Sequence, residues 1–302
     1  MTNTLPCFRF APSPNGHLHL GHALSALLNG QAAQATGGKL LLRIENIDTV
    51  RCTARLEADL LEDLARLGLR FEAEVWRQSD RFSVYGEALN RLEALGVTYR
   101  AYLTRAEIRR HVASQESSGV SWPRDPDGAP LYPRDELVLS GCEIARRRAD
   151  GAPFALRLDM AAALSLVNRP LFWWEGASEF DARAALLAAW DEGQLIEADP
   201  AAWGDVVLAR KDCPTSYHVS VVVDDAAQEV TDVIRGRDLY HATSVHRLLQ
   251  ELLGLPAPRY RHHRLIAAND GMKLSKSSGS QSLRERDFQI SEIYSILDLV
   301  DR

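Results

Sequence analysis

The sequence is poor in cysteine and has no long apolar segment. Its four cysteines lie far apart and form no C-x-x-C pair, so free thiols in a reducing compartment are the simplest interpretation. No apolar run approaches the roughly 18 residues needed to span a bilayer. The first residues, MTNTLPCFRF, lack the charged region and apolar stretch of a signal peptide. We therefore expect a cytoplasmic protein with no membrane partner.

Glycine-rich phosphate loops are also missing. The segment ATGGKL ends in Gly-Lys, but Ala33 and Leu40 stand where a Walker A loop needs a glycine and a hydroxyl. No G-x-G-x-x-G follows the first predicted strand. Any bound phosphate must therefore be held in another way.

The charge balance limits the class of protein further. The formal net charge of the 302 residues is −6, which argues against a protein that coats nucleic acid by charge alone but leaves room for a local basic patch. Basic residues cluster locally at 105–110 (RAEIRR), 145–148 (ARRR) and 259–264 (RYRHHR). We interpret each cluster first as a solvated face.

The apolar pattern predicts an α/β fold. Strands are predicted at 7–11, 38–46 and 216–225, and helices at 18–35, 53–68, 79–96 and 244–254, with Ser79 and Asp80 capping the third helix. This alternation implies a doubly wound parallel sheet. The turn-rich segment 114–136 is predicted to be a loop, and 154–159 and 170–176 to be strands of a smaller module. An insertion of about 100 residues therefore interrupts the main domain.

The segment PSPNGHLHLGH (12–22) carries three histidines, His17, His19 and His22. Three converging imidazoles could bind a metal, although the segment offers no supporting carboxylate. They could also be structural. The third interpretation is that helix 18–35 starts here and presents unpaired N–H groups to an anion, with His19 and His22 on one face as phosphate donors.

A second candidate lies near the other end of the chain. The segment DGMKLSKSSGS (270–280) combines Lys273 and Lys276 with serines and glycines. Many such loops are only linkers. A mobile ammonium group can also close on a triphosphate and offset the charge of a transition state.

Together these two segments resemble the signature pair of class I aminoacyl-tRNA synthetases. HLGH (19–22) matches the His-Ile-Gly-His motif, and KLSKS (273–277) matches the Lys-Met-Ser-Lys-Ser motif. Further segments are similar to the glutamyl subgroup: 9–23, 41–48, 217–225 and 233–239. The resemblance covers most of the chain outside about 105–200.

The family implies a division of the chain. We expect a Rossmann-like ATP and glutamate domain at 1–100 and 203–256. An inserted α+β acceptor-binding-like subdomain would occupy residues 101–202. A KMSKS-type module, consisting of the lysine loop and a C-terminal helical segment, would occupy residues 257–302. Only about 25 residues follow Ser277, where a full glutamyl-tRNA synthetase continues into an anticodon-binding region. The chain thus resembles glutamyl-Q tRNA(Asp) synthetases, which activate glutamate with ATP and attach it to the queuosine base of tRNA(Asp).

The resemblance also implies roles for individual residues. His19, His22, Lys273 and Lys276 would be catalytic, and His17 would have no direct role. ATP would contact His19, Gly21, His22 and Lys276, with Mg²⁺ held mostly by phosphates and water. Glutamate would be bound by Arg9, Phe10, Ala11, Pro12, Ser13, Glu45, Tyr217 and Arg235. Asp224 and Asp225 are expected to close a strand rather than to hold the metal.

The chain departs from the family at a zinc site. Family members often carry C-x-C and then Tyr-x-x-x-Cys in the insertion, but Ala101, Leu103 and Glu136 stand at the cysteine positions and only Tyr132 is retained. Cys142 alone supplies too few thiolates, so we expect no zinc. Trp122, Trp173 and Trp174 could stack on anticodon bases, or be buried in a core. We expect a monomer.

Two other functions stay open from the sequence. One is a minimal glutamyl-tRNA synthetase that charges a tRNA 3′ end, against which the short C-terminal part argues. The other is a non-catalytic synthetase paralogue, against which the presence of both motifs argues.

Overall fold

Two β-sheets organise the part of the chain that the computed structural model describes, which comprises residues 5–176, 192–266, 282–285 and 290–296. The larger sheet has seven strands in the order β3-β2-β1-β9-β10-β6-β7. All its neighbouring strands are parallel except β6 and β7. Its strands are β1 (Cys7–Phe10), β2 (Lys39–Ile44), β3 (Trp76–Arg77), β6 (Phe172–Gly176), β7 (Gly193–Glu197), β9 (Asp232–Gly236) and β10 (Arg259–His263). The predicted doubly wound, mostly parallel sheet is confirmed.

The smaller sheet is antiparallel, in the order β4-β5-β8. Its strands are β4 (Thr98–Ala101), β5 (Ala155–Leu158) and β8 (Val207–Arg210). The helices of the described residues are α1 (Leu20–Thr36), α2 (Ala54–Arg66), α3 (Phe82–Ala94), α4 (Arg105–Ser117), α5 (Gly141–Ala149), α6 (Met160–Val167), α7 (Tyr217–Ala227), α8 (Ala242–Leu253) and α9 (Ile290–Ile296).

Local chemistry explains where several helices begin and end. Thr53 caps α2 by accepting a hydrogen bond from the Leu56 N–H at 3.3 Å. Gly37 ends α1 in the left-handed region at φ 64°, which glycine adopts without steric cost. The predicted cap of the third helix is wrong, because residues 78–81 form a short 3-10 helix and α3 begins after it, at Phe82.

The segment 216–225 is a helix rather than the predicted strand. Its run of valines was typical of a buried strand, but α7 packs against α3 and α8 and buries Val219, Val221 and Val222. A helix buried on several faces has no polar stripe, so an apolar run of this length cannot be told from a strand by its pattern. Asp224 and Asp225 therefore lie in the last turns of a helix and do not close a strand.

Two further sequence interpretations are corrected. Strand β6 belongs to the larger sheet and pairs with β10, since Trp173 packs with Val233 and Tyr260 there, so assigning 170–176 to the smaller module is wrong. The cluster at 259–264 is not a solvated face, because its first five residues form β10, whose Arg261 is 3% exposed. The predicted domain limits stay a prediction, although β6 and β7 fall inside 101–202.

Two predictions fall wholly or partly outside the described residues. The lysine loop at 270–280 lies outside them, and so does most of the predicted C-terminal module. Among the helices that the structure describes, none has the length and apolar character needed to cross a bilayer.

Candidate active site

A cavity of about 550 Å³ opens at the carboxyl ends of β1, β2, β9 and β10. The amino end of α1 forms one of its walls. Strands β2 and β9 flank β1 on opposite sides, so the cavity lies where the strand order of the parallel sheet reverses. Ligands of open α/β sheets bind in this position.

The cavity brings together the candidate residues that the structure describes. It is lined by Arg9, Phe10, Ala11, Pro12, Ser13, His19, Gly21, His22, Glu45, Tyr217 and Arg235. These residues come from four separate parts of the chain. Lys273 and Lys276 lie outside the described residues, so their position relative to the cavity stays a prediction.

His19 and His22 cap the start of α1 reciprocally. His19 Nδ1 accepts the Gly21 N–H at 3.1 Å, and His22 Nδ1 accepts the His19 N–H at 3.2 Å. Since Nδ1 is the acceptor in both rings, the proton of each neutral imidazole is on Nε2. Their ring centroids are 3.8 Å apart, so the two rings form one surface beside the cavity.

Gly21 is required by this capping arrangement. A Cβ atom at this position would lie 3.0 Å from Cε1 and 3.2 Å from Nδ1 of His19. A side chain would therefore press on the ring that caps the helix. The glycine in HLGH makes room for a histidine, whereas the glycines of a phosphate loop make room for the phosphate.

His17 is separate from this pair. Its Nε2 lies 3.1 Å from Oδ2 of Asp59 on α2, and its side chain is 42% exposed. No group of three histidine, cysteine or acidic residues in the described parts of the chain is arranged to hold a metal ion.

Arg9 is held from behind by a buried carboxylate. Asp225 Oδ1 accepts from Arg9 Nε at 3.0 Å and from Arg43 Nη2 at 2.7 Å. Burial acts to raise the pKa of Asp225, but the charges of Arg9 and Arg43 hold it below its ordinary value. The carboxylate therefore stays ionised and fixes the position of Arg9 at the wall of the cavity.

Asp224 anchors the same helix from another side. It accepts hydrogen bonds from Arg81 Nε at 2.8 Å, from the Tyr85 hydroxyl at 2.7 Å and from Gln78 Nε2 at 3.2 Å. The side chain is fully buried. These bonds tie α7 to the 3-10 helix at 78–81 and to α3, and Asp225 follows directly on the helix that they hold.

Glu45 is the acidic group of the cavity. Its pKa is raised by burial, which outweighs the opposing charges of Arg43 and Arg9. The Arg43 Nη2 atom lies 3.4 Å from its carboxylate. A buried carboxylate beside an open cavity favours an added cation, such as the ammonium group of an amino acid.

Arg235 and Tyr217 also line the cavity. The Arg235 Nη1 atom donates to the Tyr217 hydroxyl at 3.3 Å. Arg235 is 4% exposed, while Tyr217 is only half-buried, and burial raises the pKa of its hydroxyl. Two arginines, one carboxylate and one phenol therefore surround a space that suits a zwitterion with a second carboxylate.

A second cavity of about 470 Å³ adjoins the first and shares Tyr217 with it. It lies between the smaller sheet and the start of α7. Its lining includes Arg157 and Arg210 of the smaller sheet and the rings of Trp203, His218 and Tyr132. Cations and aromatic faces together suit a nucleobase.

The positions of the missing zinc ligands are joined by a carboxylate. Asp135, 3% exposed, accepts the N–H of Tyr102 at 2.8 Å and of Leu103 at 3.2 Å, and also the hydroxyl of Tyr132. Ala101 is buried at the end of β4 and Glu136 is exposed. These hydrogen bonds connect the same two segments that zinc would join.

The tryptophans have different surroundings. Trp173 is 3% exposed and donates to Glu175, so it is a core residue and cannot stack on a base. Trp122 donates to the Leu131 carbonyl oxygen at 2.9 Å. Trp203, which the sequence analysis did not single out, lines the second cavity.

Several residues that shape the site were missed from the sequence. They are Arg43, Glu175, Asp225, His246 and His262. Asp225 was hidden by the wrong prediction of a strand, and His262 by the interpretation of 259–264 as a solvated face. Charged residues inside apolar runs were the signal that could have found Arg43 and Asp225, because a buried charge needs a partner.

Comparison with known proteins agrees with the geometry. The family model of the catalytic domain of class I tRNA synthetases (E and Q) matches residues 7–169 and 192–295. The chain is 41% identical over 280 residues to the glutamyl-Q tRNA(Asp) synthetase of Rhodobacter capsulatus, covering 91% of this chain and 92% of that protein. It is 37% identical over 279 residues to the protein of the same name from Albidiferax ferrireducens, covering 91% of this chain and 85% of that protein.

A solved structure shares the fold. The glutamate tRNA ligase from Elizabethkingia meningosepticum in complex with its amino acid superposes with a TM-score of 0.70 at 24% identity, over 97% of this chain. The chain spans 60% of that protein's length. The family match covers well over half of the chain, and two relatives exceed 30% identity over nearly their whole length. The chain therefore belongs to the family of class I tRNA synthetases for glutamate and glutamine.

Proposed function

We propose that this chain activates L-glutamate with ATP and transfers it to the queuosine base in the anticodon of tRNA(Asp). The proposal is supported by the names of the two relatives that match over most of both chains. One structural observation carries it. A single cavity is lined by Arg9, Arg235, Glu45 and Tyr217, and opens beside the paired histidines at the start of α1.

The polar groups of the cavity fit the three charged groups of glutamate. Arg9 and Arg235 offer cations for the two carboxylates, and guanidinium groups pair well with carboxylates. Glu45 is the group for the ammonium. Since each arginine is proposed to bind one carboxylate, a ligand with a neutral side chain of similar length would lose one of these two charge-assisted contacts.

The activation step joins two anions. An oxygen of the glutamate α-carboxylate attacks the α-phosphorus of ATP, the bond to the pyrophosphate oxygen breaks, and glutamyl-adenylate forms. We propose that His19 and His22 donate from Nε2 to ATP, and that Lys273 and Lys276 contact the phosphates. Mg²⁺ bound with ATP would offset phosphate charge. The protein's contribution is positioning and charge stabilisation.

The transfer step needs an acceptor hydroxyl. A hydroxyl of the queuosine cyclopentene-diol attacks the adenylate carbonyl, and AMP leaves. We propose that the modified base enters the second cavity. Tyr217 lines both cavities, and Trp203, His218 and Arg157 supply aromatic and cationic contacts.

Glutamate-dependent exchange of labelled pyrophosphate into ATP tests the activation step. The purified chain is expected to catalyse this exchange without tRNA. A Lys276→Ala variant is expected to lose roughly 10²–10³ in rate. Absence of exchange by the unmodified chain would refute the proposal, and an unchanged rate in the variant would remove Lys276 from the mechanism.

Acceptor preference tests the transfer step. Labelled glutamate is expected to attach to tRNA(Asp) that contains queuosine and not to tRNA(Asp) that lacks it. Charging of unmodified tRNA at its 3′ end would instead support a minimal glutamyl-tRNA synthetase. A chain that binds glutamate and ATP without exchange would be a non-catalytic paralogue.

A further inference from the structure

The Arg235 guanidinium is fully engaged by the protein. Its five N–H groups have five acceptors within 3.3 Å. These are His262 Nε2 (3.0 Å), His246 Nδ1 (3.2 Å), the Tyr217 hydroxyl (3.3 Å), Thr243 Oγ1 (2.7 Å) and the Leu239 carbonyl oxygen (3.1 Å). The side chains of Thr243, His246 and His262 are buried. Two of the acceptor residues, Tyr217 and Leu239, line the first cavity with Arg235, and Tyr217 is the one that accepts through its side chain.

The arginine fixes the tautomers of both histidines, because a guanidinium can only donate. His262 Nε2 must therefore carry a lone pair, and its Nδ1–H donates to the Glu175 carboxylate at 2.9 Å. His246 Nδ1 must also carry a lone pair, so its Nε2–H donates to His218 Nδ1 at 3.1 Å. Both rings have to be neutral to accept from Arg235.

Burial supports the neutral state. It lowers the pKa of His262 to about 4, although the hydrogen bond to Glu175 acts against this, and the Arg235 charge adds to the lowering. Burial and the same charge lower the pKa of His246 well below its ordinary value. The charged and titratable groups around His246 are Arg235 on β9, Arg9 on β1, His262 on β10, and Tyr217 and His218 on α7.

We propose that His246 and His262 are positioning residues for substrate binding, which hold the Arg235 guanidinium so that only its Tyr217 side meets a ligand carboxylate. This inference rests on the proposed function. A carboxylate that enters the cavity accepts the Nη1–H that donates to the Tyr217 hydroxyl in this structure. The Tyr217 hydroxyl then donates to the same carboxylate. The remaining N–H groups stay on their protein acceptors, so the ligand contact has one fixed direction.

Two amide substitutions at each position test the acceptors separately. The amide of asparagine lies near the Nδ1 position of histidine and that of glutamine near the Nε2 position. His246→Asn therefore keeps the acceptor for Arg235 and His246→Gln removes it. At the other histidine the order is reversed, so His262→Gln keeps the acceptor and His262→Asn removes it.

The readout is steady-state pyrophosphate exchange with glutamate and ATP varied in turn. His246→Gln and His262→Asn are expected to raise the KM for glutamate about tenfold, as for loss of one hydrogen bond to a charged group. The KM for ATP should stay within about twofold. His246→Asn and His262→Gln are expected to stay within about threefold of the unmodified chain in both constants.

The crossed design separates positioning from folding. If the histidines have only a structural role, the same amide is expected to be the better tolerated one at both sites. If they position Arg235, asparagine is expected to be the better substitute at position 246 and glutamine at position 262. Urea unfolding of all four variants shows whether each is folded, and His17→Gln serves as a surface control. Equal glutamate KM values for the two amides at each site, or a parallel rise in the KM for ATP, would overturn the inference. Failure of the unmodified chain to catalyse exchange would instead refute the proposed function.

Discussion

Arg9 and Arg235 line the cavity, and each is held by buried side chains that do not line it. Arg9 faces the cavity and Asp225 holds it, while Arg235 faces the cavity and two neutral histidines hold it. The two supports differ because Arg9 shares its carboxylate with the fully buried Arg43. An ionised acid is needed between two cations, whereas a single arginine can be held by neutral acceptors.

Substituting Asp225→Asn tests the support of Arg9. Removing the negative charge of Asp225 leaves the buried guanidinium groups of Arg9 and Arg43 without the carboxylate that balances their positive charge. The free energy of unfolding should therefore fall by about 3 kcal/mol. The KM for glutamate should rise more than the KM for ATP, because Arg9 loses its fixed position. Urea unfolding and pyrophosphate exchange measure the two effects, with the exposed Glu229→Gln as the matched control. A glutamate KM equal to that of the control would contradict this role.

At the scale of elements, one buried side chain joins two connecting segments of the insertion. The segments around Leu103 and Tyr132 are joined by one buried carboxylate, Asp135. The acid accepts from two backbone N–H groups, that of the buried Tyr102 and that of Leu103, which also lies 3.4 Å from the Tyr132 hydroxyl. It thus braces the insertion near Ala101, Leu103 and Glu136, where the resemblance to the family implied zinc ligands.

Replacing Asp135→Asn should loosen this brace. The amide nitrogen cannot accept, so at least one N–H of Tyr102 or Leu103 loses its partner, at a cost of about 2 kcal/mol. Hydrogen exchange at these two amides and proteolysis of the 118–134 loop should both become faster. Glutamate-dependent exchange should persist, because the first cavity does not include these residues. Glu136→Gln, an exposed neighbour, is the control, and equal protection in both variants would exclude the brace.

At the scale of the whole molecule, four histidines of the described residues have pKa values below the ordinary value. Burial lowers the pKa of His218 and of His262 to about 4, and also lowers the pKa of His263 and His246. These rings lie at the junction of the larger sheet with α7 and α8. Their protonation would place positive charge beside Arg235.

The pH dependence of stability follows from these shifts. Below about pH 6.5 the unfolded chain binds protons on these histidines, whereas folded His218 and His262 remain neutral until about pH 4. The free energy of unfolding should therefore fall as pH is lowered from 6.5 to 4. The raised pKa of Glu45 acts in the opposite direction, and the lowered pKa of Asp225 adds a loss only at still lower pH.

Urea unfolding at pH 7, 6 and 5 measures this dependence. The His262→Gln variant lacks one of the titrating rings, so its unfolding free energy should change less over the same range. The exposed His17→Gln variant should follow the unmodified chain. An equal pH dependence in all three proteins would show that the buried histidines do not control acid stability.

Much of the chain could be predicted from local patterns. The paired motif histidines, the strands at 7–11 and 38–46, and the helices at 18–35, 53–68 and 244–254 follow from residues close together in sequence, because caps and apolar periods are local properties. The parallel sheet followed from their alternation. The resemblance to the family rested on the same segments.

Other features depended on how distant segments pack. The valine run of α7 is helical because α3 and α8 cover it, which no single-segment pattern could reveal. Asp225 lies 216 positions from Arg9 and 182 from Arg43, yet one of its oxygens accepts from both. The sheet order brings β1, β2, β9 and β10 to one edge, and only there do the charges that the sequence carries separately become a site for one ligand.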